Sequence, residues 1–324
     1  MLKENLELAE RALIATIARR FYIDGEPKSD IAKDLGFSRF QIARLLDKAL
    51  PNGIIRIELD PLTGCVDHGL SERLRQRYGL RHALVARESD GGGAVDLDRL
   101  GQLAAALLAE VSGPGDVVGF SWNRAMEAMS LHLNPLPPGA VVVQLCGAWP
   151  GATDRLTSLD LVRNLAGLSQ GRAHTFYAPM IATDAEAARA IKRQSDFLAA
   201  KAMFGKVTVA LVGVGGWTAE SSTLWHMLSP EECELTARQG VVAEMSGLTF
   251  DAGGNPFDSA LSALAIGITA EELAACEEVI ATTFDVERVP AVHAVLCGGR
   301  IITSLITHSS AAEALLALPA PGAD

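Results

Sequence analysis

The sequence predicts an α/β protein: a small all-α winged helix-turn-helix head, then a large Rossmann-like domain with a mostly parallel sheet. Three observations carry this. The first fifty positions hold three short helical periods with capping and turn residues between them. From about residue 60, short apolar strands alternate with longer helical stretches. The composition is 49% apolar but only 5% aromatic, with 30 glycines, which suits an aliphatic core cut by many tight turns. The expected division is 1–58 for the head and 59–324 for the larger domain.

In the head, Leu6, Ala9, Leu13, Ile17 and Phe21 recur at helical spacing, and Asp24-Gly25 breaks the helix. A second helix, 28–35, is stopped by Gly36. Ser38 is a favourable N-cap for a third, 39–46. Ala32 is small where two helices would cross, Gly36 can take a left-handed turn, and Ile42 and Leu45 face back onto the second helix. That order of residue types is the pattern of a helix-turn-helix. The third helix then presents Arg39, Phe40, Gln41 and Arg44, and Arg and Gln are side chains that read guanine and adenine edges. Ser38 can donate to phosphate, and Lys28 at the start of the second helix joins the DNA-facing set. After Leu50-Pro51-Asn52-Gly53, residues 54–59 alternate as a strand would, predicting a wing with Arg56 toward the backbone. An ordinary three-helix segment with solvated arginines is the plain alternative; the complete series favours the DNA-binding one.

In the larger domain, strands are expected at 82–86, 116–120, 140–146, 207–213 and 301–307, and helices at 97–111, 156–168 and 185–199. Such alternation implies a parallel sheet covered on both faces, whose ligands bind beyond the carboxyl ends of the strands. Three loops in those places contain Gly119-Phe120-Ser121-Trp122-Asn123-Arg124, Gln144-Leu145-Cys146-Gly147-Ala148 and Gly213-Val214-Gly215-Gly216-Trp217. Glycine lets backbone N–H groups approach a ligand, while Ser121, Asn123 and Gln144 add partners for polyols or phosphate. Trp122 and Trp217 either stack on a sugar face or pack in the core. Asp251 accepts from hydroxyls or forms a turn, Cys146 lines or fills the pocket, and Arg288 anchors an anion or is solvated. The G-x-G-G stretch is not a dinucleotide fingerprint and lacks the acidic ribose partner, so no cofactor is expected.

The five cysteines are scattered without a C-x-x-C pair, and His226, His293 and His308 show no metal spacing, so no metal site is predicted. The net charge is −11, divided as +2 over residues 1–57 and −13 over the rest. A slightly basic head on an acidic body suits a chain whose head alone touches nucleic acid. The absence of an apolar run near 18 residues, or of a signal-like start, predicts a cytoplasmic chain with no membrane partner.

Several segments, taken in order, resemble the SorC family of sugar-responsive transcriptional regulators over nearly the whole chain. In the head these are Ile17-Ala18-Arg19-Arg20-Phe21-Tyr22, Asp30-Ile31-Ala32, Ser38-Arg39, Arg44-Leu45-Leu46 and Gly53-Ile54-Ile55-Arg56-Ile57. In the body they are Gly119-Phe120-Ser121-Trp122, Val143-Gln144-Leu145-Cys146-Gly147, Ala178-Pro179, Val212-Gly213-Val214-Gly215 and Phe250-Asp251-Ala252-Gly253-Gly254. The resemblance implies a regulator of carbohydrate metabolism that binds a double-stranded operator and answers to a sugar, sugar alcohol or sugar phosphate. It also implies dimers or tetramers, an effector domain similar to sugar-phosphate isomerases, and phosphate held by the Ser121-Trp122 loop with a basic residue nearer the C-terminus.

Three positions depart from the family pattern. Cys146 stands where a covalently binding relative has lysine, and a thiol cannot form that Schiff base. Phe284-Asp285 replaces a glycine pair ahead of the cation Arg288, adding bulk and negative charge. Thr307-His308-Ser309 replaces Thr-Asp-Glu. These departures put an unphosphorylated sugar or sugar alcohol beside the phosphate as an expected effector. The alternative from another class is an isomerase, deaminase or hydrolase of sugar phosphates with the head as an assembly module. That chemistry needs a paired acid and base, and Asp251 has no convincing partner.

Overall fold

The computed structural model describes residues 7–56, 64–89, 92–149, 157–298 and 301–321. The chain divides into two compact units, Met1–Pro61 and Leu62–Asp324.

The first unit is built on α1 (Leu8–Tyr22), α2 (Lys28–Leu35) and α3 (Arg39–Ala49). One face of each closes a small core of Ile14, Ile17, Ala18, Ile31, Ala32, Ile42, Leu46 and Ala49. Gly36 ends α2 at φ 71°, the left-handed conformation a turn into α3 requires. Ser38 and Gln41 form a reciprocal capping box: the Ser38 hydroxyl accepts from Gln41 N–H at 3.2 Å, and Gln41 Oε1 accepts from Ser38 N–H at 2.7 Å. Arg20 on α1 donates to Glu26 at 2.9 Å and to Asp34 on α2 at 2.8 Å, tying the two helices. The expected wing is not a strand where it is described. Ile54 and Ile55 donate back to the Ala49 carbonyl and pack on the helical core, which pulls this stretch out of extended geometry. Residues 57–59 of that expectation, and the expected boundary at 58, lie outside the described residues.

Among the described residues the second unit contains ten strands: β1 (His82–Ala86), β2 (Val117–Phe120), β3 (Val141–Gln144), β4 (Arg172–His174), β5 (Val209–Gly213), β6 (Gly215–Gly216), β7 (Ala243–Met245), β8 (Leu248–Phe250), β9 (Glu278–Thr282) and β10 (Ser304–His308). Seven form one sheet in the order β1-β10-β9-β5-β2-β3-β4, every neighbouring pair parallel. Alternate residues of β2, β3 and β5 feed two separate cores, one on each face. Helices Gly93–Val111, Arg124–Met129 and Ser158–Leu168 supply one core, and helices that include Ser195–Phe204 and Val289–Cys297 the other. The remaining strands, β6 to β8, make a small antiparallel sheet. The single helix expected at 185–199 is two, Ala185–Ile191 and Ser195–Phe204, because Gln194 caps a new start in extended geometry.

This order has one reversal. From β2 the chain steps outward to β3 and β4, then returns to β5 on the other side of β2 and continues to β9 and β10. The loops leaving β2 and β5 therefore part in opposite directions, which opens a crevice beyond their carboxyl ends. Among the described residues, no helix is long and apolar enough to cross a membrane.

Removing the α3 cap should destabilise the head by about 1 kcal/mol. In Ser38→Ala, amide exchange at Gln41 and Ile42 should quicken while the larger unit's exchange is unchanged. Unaltered exchange at those amides would show that the cap does not hold α3.

Candidate functional site

Eleven buried side-chain polar atoms lack a hydrogen-bond partner among the described residues, and five of them gather at the carboxyl ends of β2, β9 and β10. They are Trp122 Nε1, Asn123 Nδ2, Thr283 Oγ1, Arg288 Nε and Thr307 Oγ1. Leaving such groups unmet costs about 1–3 kcal/mol each, which makes these strand ends the candidate for a polar ligand. A cavity of about 390 Å³ opens instead beside the β7–β8 turn, but the one such atom lining it is Ser246 Oγ. The strand ends offer a ligand more unmet hydrogen bonds.

Asn123 caps helix Arg124–Met129, its Oδ1 accepting from Met126 N–H at 3.0 Å and from Thr282 Oγ1 at 3.4 Å. That fixes its amide and leaves Nδ2 unmet. Ser121 is buried and spends its N–H on the Leu211 carbonyl, extending the β2–β5 ladder by one bond. Trp122 stacks on Trp149 with ring centroids 4.7 Å apart.

The charged wall follows β9. Arg124 and Arg288 lie against the Phe284 ring, 4.7 and 5.2 Å from its centroid, and both pair with Asp285 Oδ2, at 3.6 and 3.4 Å. Arg288 is buried, and that burial pulls its guanidinium below the ordinary arginine value while Asp285 and Glu244 push it back up. Glu244 on β7 is the buried carboxylate facing it. Burial pushes Glu244 up to about 7, against the pull of Arg288 and a backbone hydrogen bond from Thr223. The His308 ring nitrogens meet the Phe284 carbonyl at 3.3 Å and the Asp96 carbonyl at 3.0 Å, so the departure at the end of β10 pins the departure after β9.

The structure brings Ser121, Trp122, Asn123 and Arg288 to the strand ends and gives other predicted residues different work. Gly119 lies within β2, where a Cβ would sit 2.5 Å from the Leu145 side chain, so its role is close packing. A Cβ at Gly147 would stand 2.1 Å from the Pro179 carbonyl oxygen. Gly213 and Gly215 make room for site side chains: a Cβ there would meet Asn123 Nδ2 at 2.5 Å and Glu244 Oε1 at 2.4 Å. The Gln144 amide is consumed internally, donating to the Cys146 carbonyl at 2.9 Å and accepting from Phe176 N–H at 3.1 Å. Cys146 fills a core beside Met180, Ile181 and Trp217, where burial pushes its thiol up to about 12. Asp251 closes a turn, accepting from Asn255 N–H at 2.8 Å. Trp217 is also core, its indole donating to the Cys233 carbonyl at 3.2 Å.

Glu244, Arg124 and Thr283 are site residues that sequence reasoning missed, and Thr307 entered it only as part of a departure from the family. A lone acid in the apolar run Val241-Val242-Ala243-Glu244-Met245 was the available signal for the first.

In the head, Ser38, Arg39, Phe40, Gln41, Arg44 and Arg56 are exposed, and Lys28 is half-buried with its ammonium 5.0 Å from the Phe21 ring centroid. Gln41 differs from expectation, because its side-chain oxygen is committed to the cap.

Residues 60–317 match the family model described as "Putative sugar-binding domain". The chain belongs to the SorC family of sugar-binding transcriptional regulators. It is 28% identical over 320 residues to the transcriptional regulator LsrR of Klebsiella pneumoniae, covering 97% of this chain and 95% of that one. It is 27% identical over 318 residues to the erythritol catabolism regulatory protein EryD of Brucella abortus, covering 96% and 98%. The crystal structure of the full-length sorbitol operon regulator SorC from Klebsiella pneumoniae superposes with a TM-score of 0.76 at 26% identity, covering 96% of this chain and all of that one. These relatives are transcriptional regulators, and this chain, which matches them over 96–97% of its length, is one as well.

Glu244 has a pH signature. Its folded-state value lies above the ordinary 4.5, so the native protein holds this proton more tightly than the unfolded chain. Its contribution to stability is full below about pH 4.5 and is lost as pH rises to about 7. Glu244→Gln should therefore lose less stability than wild type between about pH 5 and 8 in urea melts. Parallel declines in the two proteins would remove Glu244 from the set of groups titrating there.

Proposed function

We propose that this regulator binds a double-stranded operator through α3 and that a small neutral polyol, a sugar or sugar alcohol, sets that binding from the carboxyl ends of the sheet. The five unmet polar atoms at the carboxyl ends of β2, β9 and β10 carry the effector part of the reading. Two of the five, on Trp122 and Asn123, are donors without a partner, Arg288 Nε is a donor held 3.4 Å from Asp285 Oδ2, and two are threonine hydroxyls that act either way. A ligand rich in hydroxyl oxygens meets that set, with Glu244 available to accept in return. The names of the sorbitol and erythritol regulators point to the same chemistry. A phosphate ester would have to compete with Asp285, which already pairs with both Arg124 and Arg288.

In the head, the exposed N-terminal turn of α3 enters the major groove, with Arg39 and Arg44 toward bases and Ser38, Lys28 and Arg56 toward phosphates. Two heads in a dimer or tetramer meet half-sites about 34 Å apart, or a multiple of that. The effector shifts operator affinity only by its differential affinity for two arrangements of the assembly, typically about 1–3 kcal/mol. The proposed setting is the cytoplasm, where operator and metabolite meet.

Arg39→Ala should weaken operator binding by about 1–3 kcal/mol if the side chain reads a base, with the melting temperature unchanged. Unchanged affinity would take Arg39 out of the interface. A thermal-shift screen of matched polyols and their phosphates tests the effector. A ligand bound only by the native state raises apparent stability, and Arg288→Ala should abolish that rise for neutral polyols. Stabilisation by the phosphate ester alone would overturn the neutral-ligand reading.

A further inference from the structure

We propose that Phe40 reads thymine through its C5-methyl group in the major groove, while the helix cap withholds the neighbouring Gln41 from adenine. This deepens the DNA-binding reading of α3 and rests on it.

Phe40 is 80% exposed, and unlike the other exposed large apolar residues of the head, Leu8, Tyr22, Ile23 and Leu50, it lies on the first turn of α3. Phe37, three positions earlier, packs against the head core, and Phe40 does not. It occupies the second position of an eleven-residue helix, directly after Arg39 and one turn before Arg44. Neither arginine makes an ion pair with a described residue, and both are exposed. The helix end therefore presents a bare phenyl ring flanked by free cations. That arrangement matches the major groove, where phosphates line the walls and the thymine methyl is the apolar group on the base edges.

Gln41 sharpens the assignment. Bidentate recognition of adenine needs a glutamine to accept with its oxygen and donate with its nitrogen. Here Oε1 already accepts from Ser38 N–H at 2.7 Å, and Ser38 in turn caps the Gln41 amide. Using that oxygen on a base would undo the cap that starts the reading helix. Recognition of an A·T pair thus passes to its thymine side and to the side chain next to Gln41.

The test uses the full-length protein and duplexes that it enriches from a randomised pool. Each dT of the enriched half-site is replaced singly by dU, which removes only the methyl group. At one position per half-site, wild type should lose about four-fold in affinity, the worth of about one buried methyl. Phe40→Ala should bind the dT and dU duplexes equally while keeping its melting temperature, since the ring is not part of the core. Gln41→Ala, although weakened through its cap, should keep the dT preference. Equal binding of dT and dU duplexes by wild type at every position would overturn the proposal. So would a preference that survives in Phe40→Ala, which would place the methyl against another residue. Failure to enrich any sequence would instead bring down the DNA-binding reading beneath it, and is recognised by absent binding rather than absent methyl discrimination.

Discussion

The reversal of strand order between β2 and β5 is the constraint on which the rest of the larger unit depends. Within the sheet every strand finds parallel neighbours, so backbone donors and acceptors are met by the ladders. At the reversal the loops separate, and polar side chains carried there have few partners in the chain. The glycines of these loops act differently from a phosphate-binding loop. Gly213 and Gly215 leave space in which Asn123 and Glu244 can stand, so the crevice is lined by side chains more than by backbone amides. The unmet atoms of Trp122 and Asn123 stand at the reversal, and those of Thr283, Arg288 and Thr307 at the ends of β9 and β10.

Electrostatics complete the crevice. Two guanidiniums lie against one phenyl ring and share one carboxylate oxygen, and Arg288 also feels the buried Glu244. In the proposed reading, a cluster whose guanidiniums already pair with Asp285 gives a neutral hydroxylated ligand its hydrogen bonds without adding a charge to a buried site. The cost of holding Phe284-Asp285 in place is met by His308, which ties the Phe284 carbonyl to the helix that begins at Gly93.

Much of this was legible in the sequence, for reasons that differ by element. The turn of the head was readable because Gly36 and Ser38 act locally, through one backbone angle and one cap. Over residues 54–56 the expected wing is not a strand because Ile54 and Ile55 pack on the helices, a tertiary effect that alternation cannot reveal. Strands β1, β2, β3, β5 and β10 announced themselves as apolar runs. Strand β4, Arg172-Ala173-His174, is an edge with little apolar character, and β9 opens on the buried Glu278, so neither gave that signal. The sequence placed Ser121, Trp122 and Asn123 after β2, and offered Arg288 without a strand before it. It could not tell that Gln144 and Asp251 were already hydrogen-bonded within the chain, because satisfaction is a property of the fold. Glu244 escaped notice for the converse reason, since its partner Arg288 lies far along the chain.

The central claim is that the strand-end crevice controls the DNA-binding head. The most direct measurement is operator affinity of the full-length protein with and without a polyol that stabilises it, repeated in Arg288→Ala. The account predicts a shift of about 5- to 150-fold in wild type, the usual span of such coupling, and none in the variant. An operator affinity indifferent to the ligand, or an equal shift in both proteins, would contradict it.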